Sequence, residues 1–293
     1  TLSLTMGSDK NQTYLSLGTT NAQGIMPNTA YDRYNFTFRN TTRFLQDKMT
    51  LDFGFNYIIQ NDKNLMAQGR YFNPLTALYL FPRGESFDAV RTFELWDPAR
   101  NIYTQNWTWG NTLDMQNPYW IAHRMNRTNK RDRYMTDASL KYEVSDWFDV
   151  VGRIRLDNTT TDAEDRRFAS TYKLFTSGSQ YGFYSQNKAD ERSLYTDLMG
   201  NVNKVLGDFS VGANVGVSLA QQSYHALGIQ GGLKSPSNVF SPYAVDYGNA
   251  NQDNHPNYGD WKHRTNSVFY NLELGWRSMI YLTTTGRQEW DSS

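Results

Sequence analysis

The chain has 293 residues whose 29 basic and 29 acidic side chains cancel, so no net field marks a binder of nucleic acid or another polyanion. No run approaches the roughly 18–20 consecutive apolar residues of a membrane-spanning helix, and zero cysteine removes disulfides, thiolate metal sites and thiol nucleophiles. Hydrophobic residues make up only 39% and mean hydropathy is −0.70, yet 15% are aromatic, with 20 Tyr and 8 Trp, an enrichment that wants a cause.

The first residues, TLSLTMGSDKNQ, lack the basic start and apolar core of an export signal, which predicts a mature or excised segment or a cytoplasmic one. Weak period-2 strands follow near Leu2 to Met6 and Thr13 to Thr20. The first clear hairpin is YNFTFRNTTRFLQDKMTLDFGFNYII. Tyr34, Phe36 and Phe38 alternate with Asn35, Thr37 and Arg39; after a polar break, Met49, Leu51, Phe53, Phe55, Tyr57 and Ile59 alternate with Thr50, Asp52, Gly54 and Asn56. The same two-faced pattern recurs at Tyr134 to Val144, Phe148 to Leu156, Leu194 to Val202, Phe209 to Leu219 and Val268 to Trp276, and more weakly at Met279 to Trp290. About ten strands result, and the chain reads as all-β.

The connections alternate in length. Short ones fall near Gly7 to Gln12, Leu45 to Lys48, Ser145 to Trp147, Val205 to Asp208 and Arg277 to Ser278. Long ones are predicted at about Asn21 to Asp32, Asn61 to Arg133, Asn158 to Glu191 and Ala220 to Asn266. That sorting describes an up-and-down antiparallel meander with every long loop at one end, which a Greek-key sandwich has no reason to adopt and transmembrane barrels do. Phe44, Trp147, Phe148, Phe209 and Trp276 cluster beside the short turns, as in an interfacial aromatic girdle, although aromatics also favour strand ends. Lipid offers no hydrogen bonds, so a closed sheet is the only way for such strands to cross it. The expected fold is therefore an up-and-down transmembrane β-barrel: apolar side chains face lipid, and Arg39, Asp52 and Asn56 face a watery lumen.

Candidate chemistry is sparse. The four histidines, His123, His225, His255 and His263, all fall in predicted long loops, and Asp253, His255, Asp260 and His263 lie close in sequence at no spacing that a metal site requires. DNTTTDAED at Asp157 to Asp165 lacks the glycine turn of a calcium loop and reads as a solvated loop. GIQGGL, Gly228 to Leu233, fits no phosphate-loop template and reads as flexible. The six Asn-x-Thr sequons reflect abundant Asn and Thr. No cofactor, metal site or catalytic residue is predicted. Binding has its best candidate in YTQNWTWGN: in an extended segment Trp107 and Trp109 point the same way and offer a flat apolar platform for sugar faces or peptide side chains. Packing of the loop on itself or on a partner is the alternative.

At TYLSLGTTNAQGIMPNTAYDRYNFTFRNTT, NPYW (Asn117 to Trp120), RDRYMTDASLKYEVSDWFDVVGRIRLD and NSVFYNLELGWRSMIYLTTTGRQEWDSS, the sequence resembles the SusC/RagA family of TonB-linked outer-membrane transporters. The blocks run from the first residues to the last. The resemblance implies a 22-stranded barrel in the outer membrane of Bacteroidota, plugged by an N-terminal domain, capped by a SusD-like lipoprotein and driven by TonB with ExbB and ExbD. It implies import of oligosaccharides or peptides rather than an enzyme. Residues 1–293 would then be part of the barrel domain, from its N-terminal half, with the plug, the TonB box and the last strands outside this piece. The competing expectations are a small closed outer-membrane barrel serving as a surface hydrolase, and one serving as an adhesin.

Overall fold

The computed structural model describes residues 1–65, 71–107, 116–248, 254 and 256–292. Ten strands form one antiparallel sheet: β1 (Leu2–Gly7), β2 (Asn11–Gln23), β3 (Ala30–Phe44), β4 (Met49–Lys63), β7 (Met125–Ser145), β8 (Phe148–Phe168), β9 (Gly182–Leu206), β10 (Phe209–Gly232), β11 (Asn257–Trp276) and β12 (Ile280–Ser292). Between β4 and β7 lie α1 (Pro74–Leu80), α2 (Asp88–Arg91), the two-stranded pair β5 (Glu94–Asp97) and β6 (Ile102–Gln105), and α3 (Pro118–Arg124). Each main strand pairs with its sequence neighbour in the sheet, so the meander is up-and-down as expected. Among the described residues β1 and β12 are the two edges, so these strands do not close on themselves.

Register carries the alternation from strand to strand. Leu17, Phe36 and Tyr57 are opposite one another on β2, β3 and β4, and Tyr57 continues into Tyr134 on β7. Further on, Ala138 and Ile154 share a row, as do Leu198 and Val217, and then Val268. Because the side-chain period is 2, this places every apolar strand position of the pattern on one continuous face. Leu198, Val215, Val217 and Tyr270 are all about half exposed there. Water is a poor solvent for such a band, and its length suits lipid: 148–156 on β8 and 209–219 on β10 match the roughly 9–11 tilted residues that span hydrocarbon.

The edges of this band run obliquely across the hydrogen-bonded rows. Ile59, the last apolar residue of the face on β4, lies in a row that passes through Asp132, Thr160, Asp190 and His225 to Asp260 on β11. On β11 the band stops at Val268, eight residues further along (260 to 268). Five strand steps of about 4.8 Å against about 26 Å of strand correspond to a tilt of roughly 45°. At the other end, the row of Met49 reaches Tyr270, six residues short of the end of β11 at Trp276, which gives about 40°. Both values belong to the tilt range of transmembrane barrels. The short turns all sit at this lower end, and Phe44, Trp147, Phe209 and Trp276 are exposed beside them. Lys204 and Arg277 lie over Trp147 and Trp276 at 4.8 and 5.2 Å.

The predicted long loops need correction. The β2–β3 connection is only residues 24–29, and β7 to β11 continue far past the apolar band, so that the segments between the main strands there run only over 64–124, 169–181 and 233–256. DNTTTDAED is part of β8, and all of GIQGGL except Leu233 belongs to β10. Likewise His225 and His263 stand on β10 and β11 rather than in loops, and His123 on α3. The physical reason is that these strand halves stand outside the lipid, with mixed side chains on both faces, some of them, such as Phe183, Tyr184, Ala189 and Ala226, buried. Their ladders satisfy the backbone without any apolar alternation.

The outer ends are tied together by a small core of their own. Trp120 is fully buried against Ile121, Met125 and Phe175, with Phe72, Phe93, Phe168 and Tyr172 around them. Its Nε1 donates to Thr171 Oγ1 at 2.9 Å, linking the 64–124 loop to the 169–181 loop. A second cluster, Tyr184, Leu233, Ala244 and Val245, seats the 233–256 loop, and Phe168 meets Phe240 at 4.8 Å between the two clusters.

Candidate functional site

Opposite the lipid band, the other face of the same strands is polar, and its side chains bond across strands. Asn201 donates to Asp149 at 2.7 Å, Asn214 to Asn201 at 2.7 Å and Asn271 to Asn214 at 3.4 Å, a chain running over β8 to β11. One level up, Arg153 holds Asp197 at 3.0 Å. Arg39 holds Asp52 at 2.6 Å, and Thr41 donates to the same carboxylate at 2.7 Å. Asn56 donates to Thr37 at 2.8 Å. Arg39, Asp52 and Asn56 are thus on the non-lipid face, as the alternation predicts. Glycines allow close approaches here: a Cβ on Gly216 would stand 2.5 Å from the ring of Phe269, which lies across it.

Above the level of the band, this face holds a recess of about 640 Å³. Arg131, Arg133, Asp157 and Glu191 line it, with Tyr224 and Trp261 on its far side. Arg133 grips Asp157 through Nε at 2.9 Å and Nη2 at 2.5 Å. Tyr224 and Trp261 are cross-strand partners on β10 and β11, and their rings stack at 6.0 Å with an interplanar angle of 17°. Trp261 is half exposed, so one indole face is free for a ligand. A flat aromatic surface beside charged donors and acceptors can hold the apolar face of a sugar ring or a planar side chain while bonding its polar edge.

Trp107, singled out from the sequence, is half-buried in the 64–124 loop, 6.3 Å from the ring of Phe81. Trp109 lies outside the described residues, as do Asp253 and His255. Asp260 and His263 are on β11 at alternate-face positions and do not converge: Tyr258 donates to Asp260 at 3.0 Å, while His263 Nε2 is 3.8 Å from Asp291. Among the described residues no group of His, Asp and Glu has the arrangement of a metal site.

Sequence reasoning missed the recess, because Tyr224 and Trp261 sit 37 residues apart in a stretch read as loop. It also missed the helices that build the outer core. Their signal was present: Asn73-Pro74 and Asn117-Pro118 each open a helix, with the Asn side chain accepting from Leu75 and Tyr119 at 3.0 and 2.9 Å. NPYW is thus a helix start that delivers Trp120 to the core. Asn117 also donates to the carbonyls of Val90 and Asn106, both at 3.0 Å, and Arg124 pairs with Glu94 through two 2.6 Å bonds.

No family model and no curated protein matches the chain. Solved structures do. The RagAB peptide importer in its open-open state superposes with a TM-score of 0.72 at 13% identity, covering 99% of this chain and 31% of that one. FpvA of P. aeruginosa, bound to a heterologous pyoverdine, gives 0.56 at 14% identity over 98% of this chain and 34% of its own. The ferric-catecholate import receptor Fiu of E. coli K12 gives 0.54 at 10%, over 99% and 38%. The chain therefore spans about a third of the length of the structures it matches. Its fold is a ten-stranded section of the kind of antiparallel barrel wall that these importers and receptors share.

Proposed function

We propose that this chain is wall and outer loops of a TonB-dependent importer of the SusC/RagA type in a bacterial outer membrane. The observation that carries this reading is the tilted apolar band on a sheet that follows the RagAB peptide importer over 99% of the chain. The likeness to RagAB exceeds that to the two siderophore-type receptors, with TM-scores of 0.72 against 0.56 and 0.54, which favours the SusC/RagA resemblance found in the sequence. The role is transport rather than catalysis. Further strands complete the barrel at β1 and β12, since open edges in lipid cost several kcal/mol per unsatisfied backbone group. The open edges speak against a small self-closed hydrolase or adhesin barrel.

In this reading the cargo is an oligosaccharide or a peptide, and a SusD-like lipoprotein covers the outer loops. Energy enters through TonB, ExbB and ExbD from a part of the protein outside this chain. Trp107, Trp109 and, in the recess, Trp261 are the proposed cargo contacts. The test is a deletion strain grown on single peptides or single glycans as limiting nutrient, complemented by the intact gene. Rescue on one class assigns the cargo, and Trp261→Ala is expected to raise the concentration needed for half-maximal growth roughly tenfold, the loss of one stacked aromatic. Growth that is indifferent to the deletion on every class, or indifferent to TonB, would overturn the proposal.

A further inference from the structure

The lipid-facing side of the sheet ends, on β9 to β11, in a group of cations. Arg192 follows Leu194 on β9, one outward position above the apolar band. It is in register with Ser223 on β10, and Ser223 with Lys262 on β11; Arg264 lies on the same face two residues from Lys262. The strand spacing puts the Cα atoms of Arg192 and Lys262 about 10 Å apart and those of Lys262 and Arg264 about 7 Å apart. All three side chains are exposed. Arg39, Arg124, Arg133, Arg153 and Arg167 each hold a carboxylate, but Arg192, Lys262 and Arg264 make no ion pair among the described residues. Arg264 donates only to Asn266, at 3.3 Å. The nearest outward acids, Asp190 and Asp260, are engaged by Thr160 at 2.6 Å and Tyr258 at 3.0 Å.

We propose that Arg192, Lys262 and Arg264 form a binding site for the phosphate of an anionic lipid head group in the outer leaflet. This rests on the lipid-facing reading of the sheet and not on the identity of the cargo. The level is what selects a lipid: acyl chains lie along Leu194, Leu219 and Val268, and Arg192 stands two residues above the band on β9, Arg264 four and Lys262 six above it on β11, so on strands tilted by about 45° the cations climb through roughly 5–14 Å above the acyl chains, where head groups lie. Long cationic side chains at this height point their charge into the head-group layer while their stems cover apolar surface. The close spacing lets two or three of them share one phosphate, which a scattered surface charge does not do.

The test is native mass spectrometry of the full-length protein in detergent, titrated with phosphorylated lipid A or with its dephosphorylated form. The wild type is expected to retain phosphorylated lipid A and release the other. The variant R192Q/K262Q/R264Q is expected to bind roughly a hundredfold more weakly, about fivefold per cation. The charge-conserving R192K/R264K is expected to keep binding, which separates loss of charge from loss of fold; heat-modifiable migration checks that each protein is folded. Equal retention by wild type and the triple glutamine variant overturns the site. Displacement of lipid A by excess inorganic phosphate overturns the lipid assignment. Nutrient-uptake results bear on neither outcome.

Discussion

The lower and upper halves of the sheet are the same strands in two solvents. Below Leu194 and Val268 one face is apolar and the other is polar, and aromatic rings mark the lower rim. Above that level neither face keeps an apolar alternation, and β9 carries Lys188, Asp190 and Arg192 outward beside Asn187, Ala189 and Glu191 inward. The backbone ladder is continuous through the change. What alters is the source of specificity. In the membrane, register is set by which side chains lipid tolerates; above it, by the outer core around Trp120, into which Met125 of β7 and Phe168 of β8 pack, and by cross-strand ion pairs such as Arg127 with Asp165.

The sharpest way to break the upper half is Trp120→Ala. The side chain is fully buried and bonded to Thr171, so its removal is expected to cost about 3–5 kcal/mol of loop-docking stability. The lower half gains nothing from Trp120. Limited proteolysis should therefore open the 64–124 loop while the barrel keeps its heat-modifiable migration; loss of both together would mean that the halves are one cooperative unit. The converse attack is an arginine on the lipid face. Val215→Arg, near the middle of the band on β10, is expected to cost about 2–4 kcal/mol in bilayer unfolding titrations. Thr128→Arg, on the same face of β7 above the band and in register with Glu164, should stay within about 0.5 kcal/mol. Equal costs at the two positions would sink the boundary drawn from the register.

A smaller effect tests how the outer loop is stitched. Asn117 is fully buried, accepts from Tyr119 and donates to Val90 and Asn106. Asn117→Ala orphans the Val90 and Asn106 carbonyls and the Tyr119 N–H and is expected to cost about 1–3 kcal/mol, read as faster proteolysis between α2 and α3. A rate unchanged from wild type would mean that water replaces these bonds.

The two halves also differed in how much the sequence disclosed. Phe36, Phe53, Leu198 and Val217 announced their strands because lipid demands an apolar residue at every second position. The same demand is met by many sequences, which is why the fold persists at 13% identity. Asn158 to Phe168 and Gly182 to Ser193 escaped, since a strand outside the lipid has no apolar alternation to display. The recess escaped for the same reason: Tyr224 and Trp261 meet only once β10 and β11 are known to continue upward in register. Trp120 could have been found from the Asn-Pro pair before it, but its partners Phe175 and Thr171 come from another loop and leave no local trace.

The finest distinction between the halves is a pH dependence that His123 gives the outer core. His123, on α3, stacks on Phe93 at 5.3 Å, and burial followed by the neighbouring Arg124 charge holds its imidazole below its ordinary value, with Glu94 opposing in part. The folded loop then binds fewer protons than the unfolded one whenever the pH lies between the depressed value and about 6.5. Stability is thus fully present above about 6.5 and declines as the pH falls through that window, the reverse of a histidine held by a carboxylate. Hydrogen exchange of α3 should quicken on acidification relative to the mid-band amides of β10, after correction for intrinsic exchange rates. His123→Gln should remove the slope without touching the lower sheet. A slope that survives the substitution would place the titrating group elsewhere in the outer core.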